Sequence, residues 1–225
     1  MLQAIVKKEL RELWAFAAVA LALVTACVCR QTGIWSRFLV WLFDWLPGLG
    51  DSTALLPFIQ RGFGMPYGLA AFVLAILLGI RQSCGAQERE SAPYLLQLPL
   101  RRHTLVLTRL LTGLGLQMAV MLLPLLFYAG WAARSGTHPA PFEWTMAVPA
   151  IRLWLIIPLV YLGAFASGIR PARWAGSRLL PLLGITIPAV VVYNASLAVA
   201  LPLLAAIVAA LAIEIVYEAE TRDYP

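Results

Sequence analysis

"LWAFAAVALALVTACVCR", residues 13–30, carries no charge before its last residue. A bilayer core of about 30 Å takes about 20 apolar residues per helical span, so this run reads as a membrane helix. The charged stretch before it and the lack of a small-residue cleavage site mark it as a retained anchor, not a removable signal. The rest of the chain agrees. Its 225 residues are 61% hydrophobic and 12% charged, with a mean hydropathy of +0.82. A soluble domain of this length needs far more charged surface. Trp and Tyr gather near the ends of apolar runs, where an interfacial belt places them. The formal charge of +6 includes no basic run longer than two residues, so it fits membrane topology and not nucleic acid.

Working outward, residues 2–13 place Leu2, Ile5, Val6, Leu10 and Leu13 on one helical side and Lys7, Lys8 and Arg11 on the other. That pattern predicts an amphipathic helix lying in the interface before the chain turns into the first span. Further spans are expected over about 66–81, 105–132 and 147–168, the last with Pro149 and Pro158. Pro66 suits the first turn of its helix. From Arg178 to Glu214 no charge intervenes, a stretch of 35 residues. As one helix it would extend about 52 Å. Two short spans, 179–193 and 197–216, joined by a turn within "VVYNASLA" (191–198), solve this; a re-entrant arrangement is the alternative.

The expected fold is therefore all-α and polytopic, a single transmembrane domain of six helices with both termini on one side. Placing those termini in the cytoplasm puts twelve basic residues inside and five (Arg30, Arg37, Arg61, Arg134 and Arg152) outside. This obeys the positive-inside rule. On the outer side, Ile34, Trp35, Phe38, Leu42 and Trp45 recur at helical spacing up to Pro47, as an aromatic anchor at the headgroups.

Chemistry-bearing motifs are scarce. Cys27, Cys29 and Cys84, with His103 and His138, assemble no four-ligand metal set. The chain lacks H-E-x-x-H, G-x-S-x-G and G-x-x-x-x-G-K-[ST]. "FASG" (165–168) places a serine in a span with no histidine to activate it. "N-A-S" (194–196) reads as a turn. Ala71, Ala75 and Gly79 form a small-residue stripe on the second span, and Gly113 and Gly115 a notch on the third; both point to close helix packing. Arg152 is expected to snorkel to the outer interface, and Glu214, Glu218, Glu220 and Asp223 to form a solvated tail.

One segment breaks the apolar pattern: "QERESAPYLLQLPLRRHTLVLTRLL", residues 87–111. On the expected topology, 87–104 is the cytoplasmic link between spans two and three. Tyr94, Leu95 and Leu98 share an apolar helical face, Pro99 ends the short helix, and Arg101 and Arg102 lead back to the membrane. Such a helix can dock in a partner's groove while flanking charges set its register. An ordinary charged loop is the other reading.

The segment resembles the cytoplasmic motif of ABC-transporter type 2 permeases: an acidic E-x-E, then LL-x-x-P, a basic residue, and a helix with a basic residue about eight positions later. Glu88, Glu90, Leu95, Leu96, Pro99, Arg101 or Arg102, and Arg109 match in order. The family's Gly-Thr after the acidic pair is replaced by Ser91-Ala92-Pro93, and the outer loop between spans five and six is nearly absent. The resemblance implies an exporter's membrane subunit in the bacterial inner membrane, paired with a second copy or a related permease. A separate P-loop ATPase would bind ATP and Mg and dock on residues 88–102, Arg89 included, and on the N-terminal helix; this chain itself would hold no cofactor. A membrane scaffold and an intramembrane enzyme are the competing classes.

Overall fold

The structure is a computed structural model and describes residues 2–32, 57–58, 61–88, 102–137, 141–170 and 175–221. The described residues fold as helices and short links, without a strand. Four long helices come first: α1 (Leu2–Gln31), α2 (Arg61–Glu88), α3 (Arg102–Ala132) and, after a single 3-10 turn at Trp144–Ala147, α4 (Val148–Ile169). Three short helices follow, α5 (Ala175–Arg178), α6 (Leu180–Gly184) and α7 (Thr186–Asn194), before the long α8 (Leu197–Thr221). Five stretches are long and apolar enough to cross a bilayer: Leu2–Cys29, Phe63–Ser83, Arg102–Ala132, Trp144–Ile169 and Leu197–Thr221. These make the chain an integral membrane protein.

Three expectations about helix boundaries change. The turn expected near residue 13 is absent, because α1 contains neither Gly nor Pro and Leu13, 1% exposed, is locked in the core. The interfacial segment and the first span are one helix of 30 residues, about 45 Å long. The stretch 179–193, expected as one span, is instead two short helices. Pro188 has no N–H to offer the Gly184 carbonyl four residues back, and the helix breaks at Ile185. Together Leu180–Asn194 reach only about 22 Å, short of a bilayer core. Ala195 and Ser196 then turn the chain into α8, with the Ser196 carbonyl accepting from the N–H of Val199 and Ala200. Pro66 falls in the second turn of α2, since that helix starts at Arg61. The aromatic segment around Ile34–Trp45 lies outside the described residues.

Lipid is as apolar as leucine, so helices associate here through close packing and hydrogen bonds, not through hydrophobic exclusion from water. The most extensive pair is α2 with α4. Ala71 and Ala75 are fully buried there, and a Cβ on Gly79 would stand 2.7 Å from Ala164 Cβ and 2.8 Å from the Tyr161 carbonyl. Only hydrogen fits. α1 packs on α3 and α2, and α8 on α4 and α3. Side chains also tie α3 to both neighbours: Gln117 Nε2 donates to Ala71 O at 3.1 Å, Tyr67 OH to Met121 O at 3.1 Å, and Trp154 Nε1 to Met118 O at 3.1 Å. At one end of the bundle Phe63, Tyr67, Tyr128 and Trp131 stack face to face, with Phe58 edge-on to Phe63.

Candidate functional site

At the opposite end, four helices bring one polar residue each to a common point. On α1 the buried stripe is Ile5, Glu9, Leu13, Ala17, Ala20, Val24 and Val28, so helical periodicity itself carries Glu9 into the core. On α2, Gln82 continues the face of Ala75, Leu78 and Gly79. On α3, Arg109 precedes Gly113 and Gln117 at four-residue steps, and on α4 Tyr161 lies between Ile157 and Phe165 on the same spacing.

The bonds among them use both carboxylate oxygens of Glu9 and both amide hydrogens of Gln82. Arg109 Nε donates to Glu9 Oε1 at 2.8 Å, and Nη2 to the Gln82 carbonyl at 3.0 Å. Gln82 Nε2 spends its two hydrogens on Glu9 Oε2 and the Arg109 carbonyl, both at 3.1 Å. Tyr161 OH donates to Gln82 Oε1 and also lies 3.3 Å from the Leu110 carbonyl. The charged side chains are only 12% (Arg109) and 6% (Glu9) exposed, so an unmet partner would be left without water. Gly113 makes the closure possible, since a Cβ there would overlap Gln82 Oε1 and Tyr161 OH.

Of the residues singled out in the sequence, Arg109 is at the centre of this junction. Glu88 is the last residue of α2 and Arg102 the first of α3, where Arg102 is exposed. Arg89, Glu90, Tyr94, Leu95, Leu96, Leu98, Pro99 and Arg101 lie outside the described residues. The junction therefore clamps both helices that flank the 87–104 segment: Gln82 stands one and a half turns before the end of α2, and Arg109 two turns into α3. Lys7, Lys8 and Arg11 are exposed on α1.

Glu9, Gln82 and Tyr161 were not foreseen. A signal existed for the first: the acid occupies a four-residue step between Ile5 and Leu13. Leu2 and Leu10, assigned with them to one apolar face, are 42% and 38% exposed.

The other candidates resolve as structure. Ser167 Oγ accepts from Leu182 N–H at 3.1 Å, and Arg178 reaches the Ser167 and Gly168 carbonyls at the end of α4. Gly115, unlike Gly113, faces open space. His103 Nδ1 and Glu220 Oε1 are 2.9 Å apart, both about half exposed, so the acidic end of α8 is tied to the start of α3. No group of three His, Cys, Asp or Glu side chains able to hold a metal occurs among the described residues.

Comparison with protein-family models, curated proteins and solved structures finds no match to this chain.

Proposed function

We propose that this chain is the membrane-spanning subunit of an ATP-driven ABC exporter, working as a pair with a second copy or a related permease. A separate P-loop ATPase subunit binds ATP and Mg and does the hydrolysis. The supporting observation is the Glu9–Gln82–Arg109–Tyr161 junction. A force applied to the 87–104 segment enters α2 and α3 on either side of it, and the junction passes that force to α1 through the charge-assisted Arg109–Glu9 bond, which is short and directional, and to α4 through the hydrogen bond from Tyr161 to Gln82. A loop serving topology alone has no need of such a clamp beneath it. In this reading the segment between α2 and α3 carries a short coupling helix in the cytoplasm of a bacterial cell, both termini share that side, and the α6–α7 arm with α8 completes a six-element membrane domain.

The test is purification of the tagged chain from native membranes in mild detergent, with partners identified by mass spectrometry. The expected result is a stoichiometric P-loop ATPase that is lost when Glu88 and Glu90 are both changed to Lys, while insertion of the chain is unchanged. Recovery of other membrane complexes without any such ATPase would sink the reading and leave a scaffold in its place. Cysteine labelling from each side of the membrane at Lys8, Arg101 and Glu218 checks the topology: all three must react from the same side.

A further inference from the structure

Far from the polar junction, α4 carries an arginine that no carboxylate neutralises among the described residues. Arg152 stands in the second turn of α4, and its Nη1 donates to the Tyr193 carbonyl at 3.0 Å. That carbonyl belongs to the last turn of α7, where helix carbonyls lack intrahelical donors and a cation is favoured. A guanidinium has five N–H donors, and this bond uses one. Nε–H is closed off from solvent and has no acceptor. The nearest acid in sequence, Glu143, is exposed and accepts from Thr145 Oγ1 at 3.2 Å.

Beside this arginine runs an apolar groove of about 530 Å³. Its walls are Phe72 and Ile76 of α2 and Ala189 and Val190 of α7, and its floor includes Ile156 and Val160 of α4. α2 and α7 flank α4 without packing on each other, which leaves the space open. The lining reaches from Leu182 to Tyr193, the residue that Arg152 bonds. With the break at Ile185 that distance is at most about 17 Å, close to the roughly 15 Å depth of one leaflet's hydrocarbon. Trp144, 66% exposed two turns before Arg152, is the residue type that settles at headgroup level, and arginine reaches the same level by snorkelling.

We infer that this groove holds one acyl chain of a phospholipid whose phosphate is bound by Arg152. The bilayer supplies the phosphodiester at that depth, and a guanidinium fork matches its paired oxygens. The groove supplies the rest of the recognition, because an apolar tail is the only part of the lipid that its lining accepts. This assignment does not depend on the transporter reading.

Native mass spectrometry of the full chain, delipidated in detergent and then supplied with phosphatidylglycerol or with diacylglycerol of the same chains, tests it. Phosphatidylglycerol should be retained as one adduct per chain, at least tenfold more than diacylglycerol. Arg152→Gln should abolish that preference, with Arg152→Lys intermediate because a point charge replaces the fork. Val190→Trp, on an exposed position of the groove wall, should cut retention with the guanidinium intact, whereas Leu126→Trp on the outer face of α3 should not. Wild-type retention by Arg152→Gln, equal retention of the two lipids, or indifference to Val190→Trp would each overturn the proposal. Should Arg152→Gln fail to fold, the two-lipid comparison and Val190→Trp still decide it.

Discussion

At the end where Glu9 meets Arg109, four helices are joined by bonds that tolerate little error in distance or direction. At the other end Tyr67, Phe63, Tyr128 and Trp131 stack in that order, with centroid separations of 5.0, 4.8 and 5.7 Å along the row. Rings in such a stack slide past one another at small cost, since dispersion falls gently with offset. The polar junction is different in kind, because shifting one helix breaks several buried bonds together and strands a charge. A bundle built this way has one end that resists small displacement and one that accommodates it. Helices can therefore pivot about the aromatic end only if something opens the polar end.

The most damaging way to probe this contrast is Glu9→Ala. It leaves Arg109 buried without its carboxylate, for an expected loss of about 3–5 kcal/mol, read from unfolding of the purified chain in detergent. The double variant Glu9→Leu with Arg109→Leu should recover part of that loss; losses that simply add would show the two residues to be uncoupled.

Next in size is Gly113→Ala, whose methyl has to displace Gln82 and Tyr161, at about 1–3 kcal/mol. Gly115→Ala, in open space, serves as its partner and should be neutral or gain up to about 1 kcal/mol from helix propensity. Equal effects at the two glycines would remove the junction from the account.

At the aromatic end, Tyr128→Leu should cost about 0.5–1.5 kcal/mol in ring pairing beyond the change in packing. A loss larger than that of Glu9→Ala would reverse the comparison. Smallest of all is His103→Gln, which removes a half-exposed contact with Glu220 and should move stability by less than about 1 kcal/mol.

Much of this architecture could be read from the chain before any coordinates. Apolar runs of sufficient length locate the long helices, because the bilayer imposes length and composition together. Ala71, Ala75 and Gly79 announced a close helix contact, and α4 is what they meet. Arg109 was visible as a basic residue at a fixed place after Pro99, but its partners were not. Glu9 lies 100 residues away from it in the chain, and no local pattern records a contact of that range. The N-terminal helix misled for a related reason. Its leucines suggest a membrane-facing stripe through Leu2 and Leu10, yet the face that packs is Ile5–Glu9–Leu13, chosen by what α3 offers. The break at Ile185 depends on Pro188 acting on a carbonyl four residues earlier, which hydropathy alone does not register.

The separation of Glu9 from Arg109 also has a consequence in time. A ribosome adding about 5–20 residues per second needs roughly 5–20 s to make the 100 residues between them. Throughout that interval the first helix exists with a carboxylate on its core-facing side and no guanidinium to receive it. The ion pair can form only after the whole second helix and the first two turns of the third have been made, so it records the order in which these elements appear.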